Sequence, residues 1–86
     1  MIYVFLKIYF ITYYLNNEFD KAKELYLSKL DTCKMSATFA LGELYSNEEY
    51  KDYDLVKAFN YYKESKELGH QLADEELLRI APLLMK

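Results

Sequence analysis

The chain has one histidine, His70, and one cysteine, Cys33, so the side chains most often used for nucleophilic or metal chemistry are scarce. A structural or catalytic metal site draws three or four ligands together, and His70 has no second histidine to join it. It follows Gly69 at the expected start of a helix and reads as an exposed surface residue. Cys33 would need an imidazole beside it to act as a nucleophile, and it reads instead as a buried or partly exposed structural thiol. The carboxylate pairs Glu48-Glu49 and Glu75-Glu76 have the residue types of a general acid and base. Neighbours in sequence point apart on a helix or loop, so these pairs read as solvated surface. With two glycines in all, no glycine-rich loop is present to cradle a phosphate. No catalytic set, cofactor or metal follows from these residues, and binding is the expected activity.

Composition narrows the partner. The formal charge is −3 and the lysines are spread along the chain, which leaves no basic footprint for nucleic acid. A lone cysteine forms no intramolecular disulfide and no thiolate zinc site, so a reduced, cytoplasmic setting is the default. Half of the 86 residues are apolar and ten are tyrosine, the profile of one folded domain. Residues 1–15, MIYVFLKIYFITYYL, lack the basic start and small-residue cleavage site of a secretory signal. They also fall short of the roughly 20 apolar residues that cross a bilayer, and Lys7 interrupts them. A buried helix is the expected reading, with a membrane anchor as its alternative.

The elements that would position any binding residue follow from apolar spacing. Glu18 to Leu30 sets Phe19, Ala22, Leu25, Tyr26 and Leu30 on one helical stripe. Asp31-Thr32 offers a turn and a cap for Met35 to Tyr45, whose stripe is Ala37, Leu41, Leu44 and Tyr45. Ser46 to Tyr53 is polar and reads as a loop. Asp54 can cap the next helix, which carries Leu55, Ala58, Phe59 and Tyr62 inward and meets Gly69, a natural left-handed stop. His70 to Met85 then places Leu72, Ala73, Leu77, Ile80 and Leu84 inward, with Pro82 set to bend or end it. With residues 1–15 the expected count is five helices.

These helices repeat. A shift of thirty-six residues carries Glu18 to Asp54, Lys21-Ala22 to Lys57-Ala58, Tyr26 to Tyr62 and Ala37 to Ala73. The same shift carries Phe5, Ile8 and Tyr9 to Leu41, Leu44 and Tyr45, and these to Leu77, Ile80 and Ala81. Apolar periodicity alone would not preserve a Lys-Ala pair with a tyrosine four residues later. The chain reads as about two and a half helix-turn-helix units, each covering the apolar face left open by its neighbour. Ala22, Ala37, Gly42, Ala58 and Ala73 would let helix axes approach, and Tyr26, Tyr45 and Tyr62 would fill the spaces with a polar tip.

Ala37, Leu41-Gly42, Tyr45, Asp54, Lys57-Ala58, Tyr61-Tyr62, Gly69 and Ala73 resemble, spacing by spacing, the Sel-one-like repeat, a cousin of the tetratricopeptide repeat. Residues 1–36 are similar to a degenerate partial copy, 37–72 to one close copy, and 73–86 to a C-terminal partial copy or capping helix. The chain departs from the pattern at Glu48 and Tyr50, where the family has glycines, and at Ser65 and Lys66, where it has alanines. Cys33 stands where the first copy would carry its glycine, and the cysteine pair common in members outside the cytosol is absent.

The resemblance implies an all-α, right-handed solenoid of antiparallel helix pairs that works as an adaptor, holding a peptide or protein on its concave face. It places the partner-binding residues on the first helix of each pair: Tyr3, Lys7 and Phe10, then Phe39, Glu43, Ser46 and Asn47, then Glu75 and Arg79. The groove expected from them is shallow and of mixed charge, with two or three exposed aromatics, Phe10 and Phe39 being equally open to a core role. Two other readings stand beside the adaptor. One is a subunit or piece of a larger repeat scaffold, self-associating through uncapped repeat ends, and the other is a membrane-associated protein held by residues 1–15.

Overall fold

Asp54 adopts an extended backbone (φ −156°, ψ 102°), and its Oδ1 accepts from the N–H groups of Val56 at 3.0 Å and Lys57 at 3.1 Å. Two amides that open a helix with no intrahelical acceptor are thereby satisfied, which is why a helix starts at this point. It ends where the sequence places Gly69. That residue has φ +101°, a conformation costly for any side chain with a Cβ. Its N–H donates to Lys66 O at 2.9 Å and the N–H of His70 to Ser65 O at 3.0 Å, the paired bonds that close a helix C-terminus.

The structure is a computed structural model that describes residues 18–85. Within them the chain forms four helices and no strand: α1 (Phe19–Ser28), α2 (Lys34–Tyr45), α3 (Leu55–Glu67) and α4 (Ala73–Leu84). The helix expected over residues 1–15, with Tyr3, Lys7 and Phe10, lies outside the described residues. Extensive packing joins each helix to the next, α1 to α2, α2 to α3 and α3 to α4. No described helix is long and apolar enough to cross a membrane.

Residues thirty-six apart share the core. Ala22 and Ala58, Tyr26 and Tyr62, Ala37 and Ala73, and Leu44 and Ile80 are all fully buried. Small residues let the axes close up while the tyrosine rings fill the gaps, each large buried side chain contributing about 1.5–3 kcal/mol. The closest approach is at Gly42, where a Cβ would stand 2.7 Å from Cδ1 and Cε1 of Tyr62. The ring of α3 therefore lies against the bare backbone of α2. Two buried hydroxyls complete the seam: Ser65 donates to Met35 O at 2.9 Å, tying α3 to α2, and Thr38 donates within α2 to Lys34 O at 2.8 Å.

Three expectations are corrected. Asp31-Thr32 does not cap α2, because the chain at 29–33 keeps turning; the N–H of Cys33 donates back to Lys29 O at 2.7 Å, and Cys33 precedes α2 without a side-chain cap. The segment Ser46 to Tyr53 is not simply a polar loop. Tyr50 is 2% exposed, its ring lying 5.4 Å from that of Phe19 and 5.7 Å from that of Tyr45. An Asx turn at Asn47, with Oδ1 accepting from Glu49 at 2.9 Å, and a bond from Asp54 N–H to Tyr45 O at 2.9 Å fold the loop so that Tyr50 points inward. Leu72 is 53% exposed and Leu84 is exposed as well, since the first sits in the outward turn before α4 and the second in its last turn. Pro82 stands in the last turn of α4, which ends two residues later at Leu84; there the missing proline N–H removes one bond and interrupts no further ladder.

The two glycines give a matched pair of tests. Gly42→Ala gains up to about 1 kcal/mol of helix propensity but drives a methyl into the Tyr62 ring, and urea denaturation should report a net loss of about 1–3 kcal/mol. Nothing lies within 4 Å of a Cβ on Gly69. Gly69→Ala should therefore cost about 1 kcal/mol through backbone strain alone.

Candidate binding groove

The last turn of α2 and the first turns of α4 both lie beside the polar end of Tyr62, and a groove forms between them. Glu43 and, just beyond α2, Ser46, Asn47, Glu48 and Glu49 make one wall, with Glu76 and Arg79 of α4 opposite. Tyr62 supplies the floor. The groove is open to solvent and holds about 420 Å³.

The position of Tyr62 is dictated from below. Its ring is buried against Gly42, and Phe39 meets it edge-on at 5.3 Å between centroids. Phe39 is itself covered by the His70 imidazole, stacked at 4.0 Å and within 4° of parallel. His70 Nδ1 accepts from Leu72 N–H at 3.2 Å, so the α3–α4 turn holds the ring that braces the floor. At the mouth, Ser46 Oγ donates to Glu43 O at 3.1 Å and stands 3.4 Å from the Tyr62 hydroxyl. With the Ser46 hydrogen directed at that carbonyl, Tyr62 is the donor of the longer contact.

The electrostatics are acidic. Four glutamates line the groove against one arginine. Arg79 donates from Nε at 2.9 Å and from Nη2 at 2.7 Å, both to Oε2 of Glu76 one turn earlier. That bond, with the neighbouring carboxylate charge, holds the guanidinium above its ordinary pKa; the Tyr62 oxygen contributes in the same direction. Burial pushes the Tyr62 phenol strongly up, with Glu43 and Glu76 adding to the shift and Ser46 opposing it.

Of the residues expected to meet a partner, Glu43, Ser46, Asn47 and Arg79 come together in this groove. Phe39 is half-buried beneath it, engaged with Tyr62 and His70, so its aromatic face is covered. Glu75 is exposed and is not part of the lining, one residue and about 100° around the helix from Glu76. Tyr3, Lys7 and Phe10 lie outside the described residues. Tyr62, Glu48, Glu49 and Glu76 belong to the groove although the sequence suggested core for the first and plain surface for the others. The one available signal was the spacing of Glu76 and Arg79, three apart and therefore neighbours on a helix.

A second polar-aromatic cluster lies around Tyr45. Its ring stacks on Tyr61 at 5.8 Å, and the ammonium groups of Lys57 and Lys23 stand 5.3 and 5.8 Å from its centroid. Tyr45 is almost fully buried, so the lysines close over the edge of the core. Among the described residues no three His, Cys, Asp or Glu side chains are placed to hold a metal ion. No family model, curated protein or solved structure matches the chain.

The raised Tyr62 pKa has a stability consequence. The folded state keeps its proton to higher pH than the unfolded chain, where a tyrosine titrates near 10. This contribution is complete below about pH 10 and is lost as the pH rises toward the folded value. Stability measured by urea titration should therefore fall across the alkaline range. Tyr62→Phe should flatten that fall and cost about 1 kcal/mol at neutral pH, since the hydroxyl it removes makes a 3.4 Å contact with Ser46 and also supports Arg79.

Proposed function

We propose that this protein is a binding module without catalytic activity, holding a basic segment of a partner protein in the groove between α2 and α4. The observation that carries the reading is the convergence of Glu43, Glu48, Glu49 and Glu76 around an open concavity whose floor is a rigidly seated tyrosine. Carboxylates at the rim attract and orient a cationic chain, and a firm floor limits the entropy lost when it binds.

The architecture that would serve this function is a right-handed solenoid of antiparallel helix pairs, resembling Sel-one-like repeats. Its support is the shared burial of residues thirty-six apart and the packing of each helix on the next. In such a solenoid α2 and α4 are the first helices of successive pairs, so the groove falls on the concave face. A second reading, a unit of a larger repeat scaffold or a self-associating chain, is favoured by α4. Leu78 is 73% exposed there, and Met85 is exposed two turns further along.

A labelled Gly-Arg-Gly-Arg-Gly peptide titrated into the full chain tests the first reading. Amide chemical shifts should change at Glu43, Ser46, Asn47 and Glu76. Glu43→Gln and Glu48→Gln should each weaken binding by about two- to fivefold, the scale of an exposed ion pair, and added salt should weaken it further. Unchanged affinity in both variants, or shifts confined to other surfaces, would sink the reading.

A further inference from the structure

We infer that Arg79 is a tethered occupant of the groove, and that the partner delivers an arginine side chain that takes its place against Glu76. This rests on the groove being the binding site, and it adds what fills the groove before the partner arrives.

The geometry of the pair carries the inference. A guanidinium presents parallel N–H bonds that match the two oxygens of a carboxylate, the arrangement in which both groups interact most strongly. Arg79 does not achieve it. Held three residues after Glu76 on the same helix, it directs Nε and Nη2 at one oxygen, Oε2. An arginine arriving on another chain is free of that constraint and can approach both oxygens side by side. A lysine ammonium gains no comparable advantage, because it has no fork to align.

Exposure shows which partner of the pair can leave. The Arg79 side chain is 51% exposed and that of Glu76 28%, so the guanidinium lies over the carboxylate and can swing into water. Exposed pairs three or four apart on a helix are weak, worth at most a few-fold in an equilibrium constant. Displacement is therefore feasible. The Tyr62 oxygen, donating toward Ser46, keeps a lone pair that already supports the Arg79 guanidinium and would support its replacement. Glu43, Glu48 and Glu49 on the opposite wall then face the charge that follows the incoming arginine.

The test compares full-length wild type with Arg79→Gln, using the labelled Gly-Arg-Gly-Arg-Gly peptide and its lysine counterpart. Lys63→Gln is the control, since it removes an exposed positive charge of α3 that does not line the groove. Arg79→Gln should tighten arginine-peptide binding by about two- to fivefold, tighten the lysine peptide less, and lose its gain when combined with Glu76→Gln. An equal gain from Lys63→Gln would mean that net charge alone is responsible and would overturn the inference. So would weaker binding by Arg79→Gln, which would make Arg79 a contact for the partner, or an equal gain for the lysine peptide. Wild type and Arg79→Gln both failing to bind would instead overturn the groove reading itself.

Discussion

The contact between Gly42 and the ring of Tyr62 sets the spacing on which the rest of the structure depends. With a hydrogen where other residues carry a Cβ, the backbone of α2 accepts an aromatic face at a distance no side chain would permit. α3 is thereby drawn close enough for Ser65 to reach Met35 O, and the far end of the fully buried Tyr62 ring is carried beneath the groove, beside Ser46. One missing methyl thus decides both how two helices pack and where a buried hydroxyl comes to lie under the groove. Phe39, also on α2, meets the ring edge-on, and His70 of the α3–α4 turn stacks on Phe39 in its turn.

None of the four helices would persist alone. They are 10 to 13 residues long, at or below the length at which an isolated helix is marginal in water. Their stability comes from burial of alanine, leucine and tyrosine between neighbours, and the caps decide only where each helix begins and ends. Asp54 and Gly69 do this for α3 by local hydrogen bonding. Exposed ion pairs link Lys51 of the α2–α3 loop to Asp20 of α1, Lys34 of α2 to Glu64 of α3, and Lys66 of α3 to Asp74 of α4. Screened by water, they contribute far less than the core and serve mainly to keep surfaces matched.

The groove is a product of this packing. Its walls come from α2 and α4, which both flank α3, so its width follows from how closely Gly42 lets the first of them approach Tyr62. Its charge follows from a different fact. The residues around it are glutamates whose burial would be costly, and they gather at the rim because the floor is already closed by aromatic packing. An acidic, open concavity above a rigid tyrosine is the surface that results.

Much was legible from residue order alone. Apolar spacing located the described helices, Asp54 and Gly69 marked the ends of α3, and the thirty-six-residue shift paired several residues that prove to be buried alike, though Leu77 and Ala81 are less buried than Leu41 and Tyr45. These features are local or periodic, and a chain carries such information in its order. Other features needed the fold. Tyr50 sits in a polar stretch and turns inward only because the loop closes on Tyr45 and Phe19 offers it a face. Leu72 and Leu84 fit the stripe of α4, yet periodicity names a face without saying how far a neighbour extends to cover it. The same limit hid the groove, where Glu43, Tyr62 and Glu76 come from three separate helices. Residue order determined which side chains could face inward, and only the packing of α2, α3 and α4 decided which polar groups would meet at the surface.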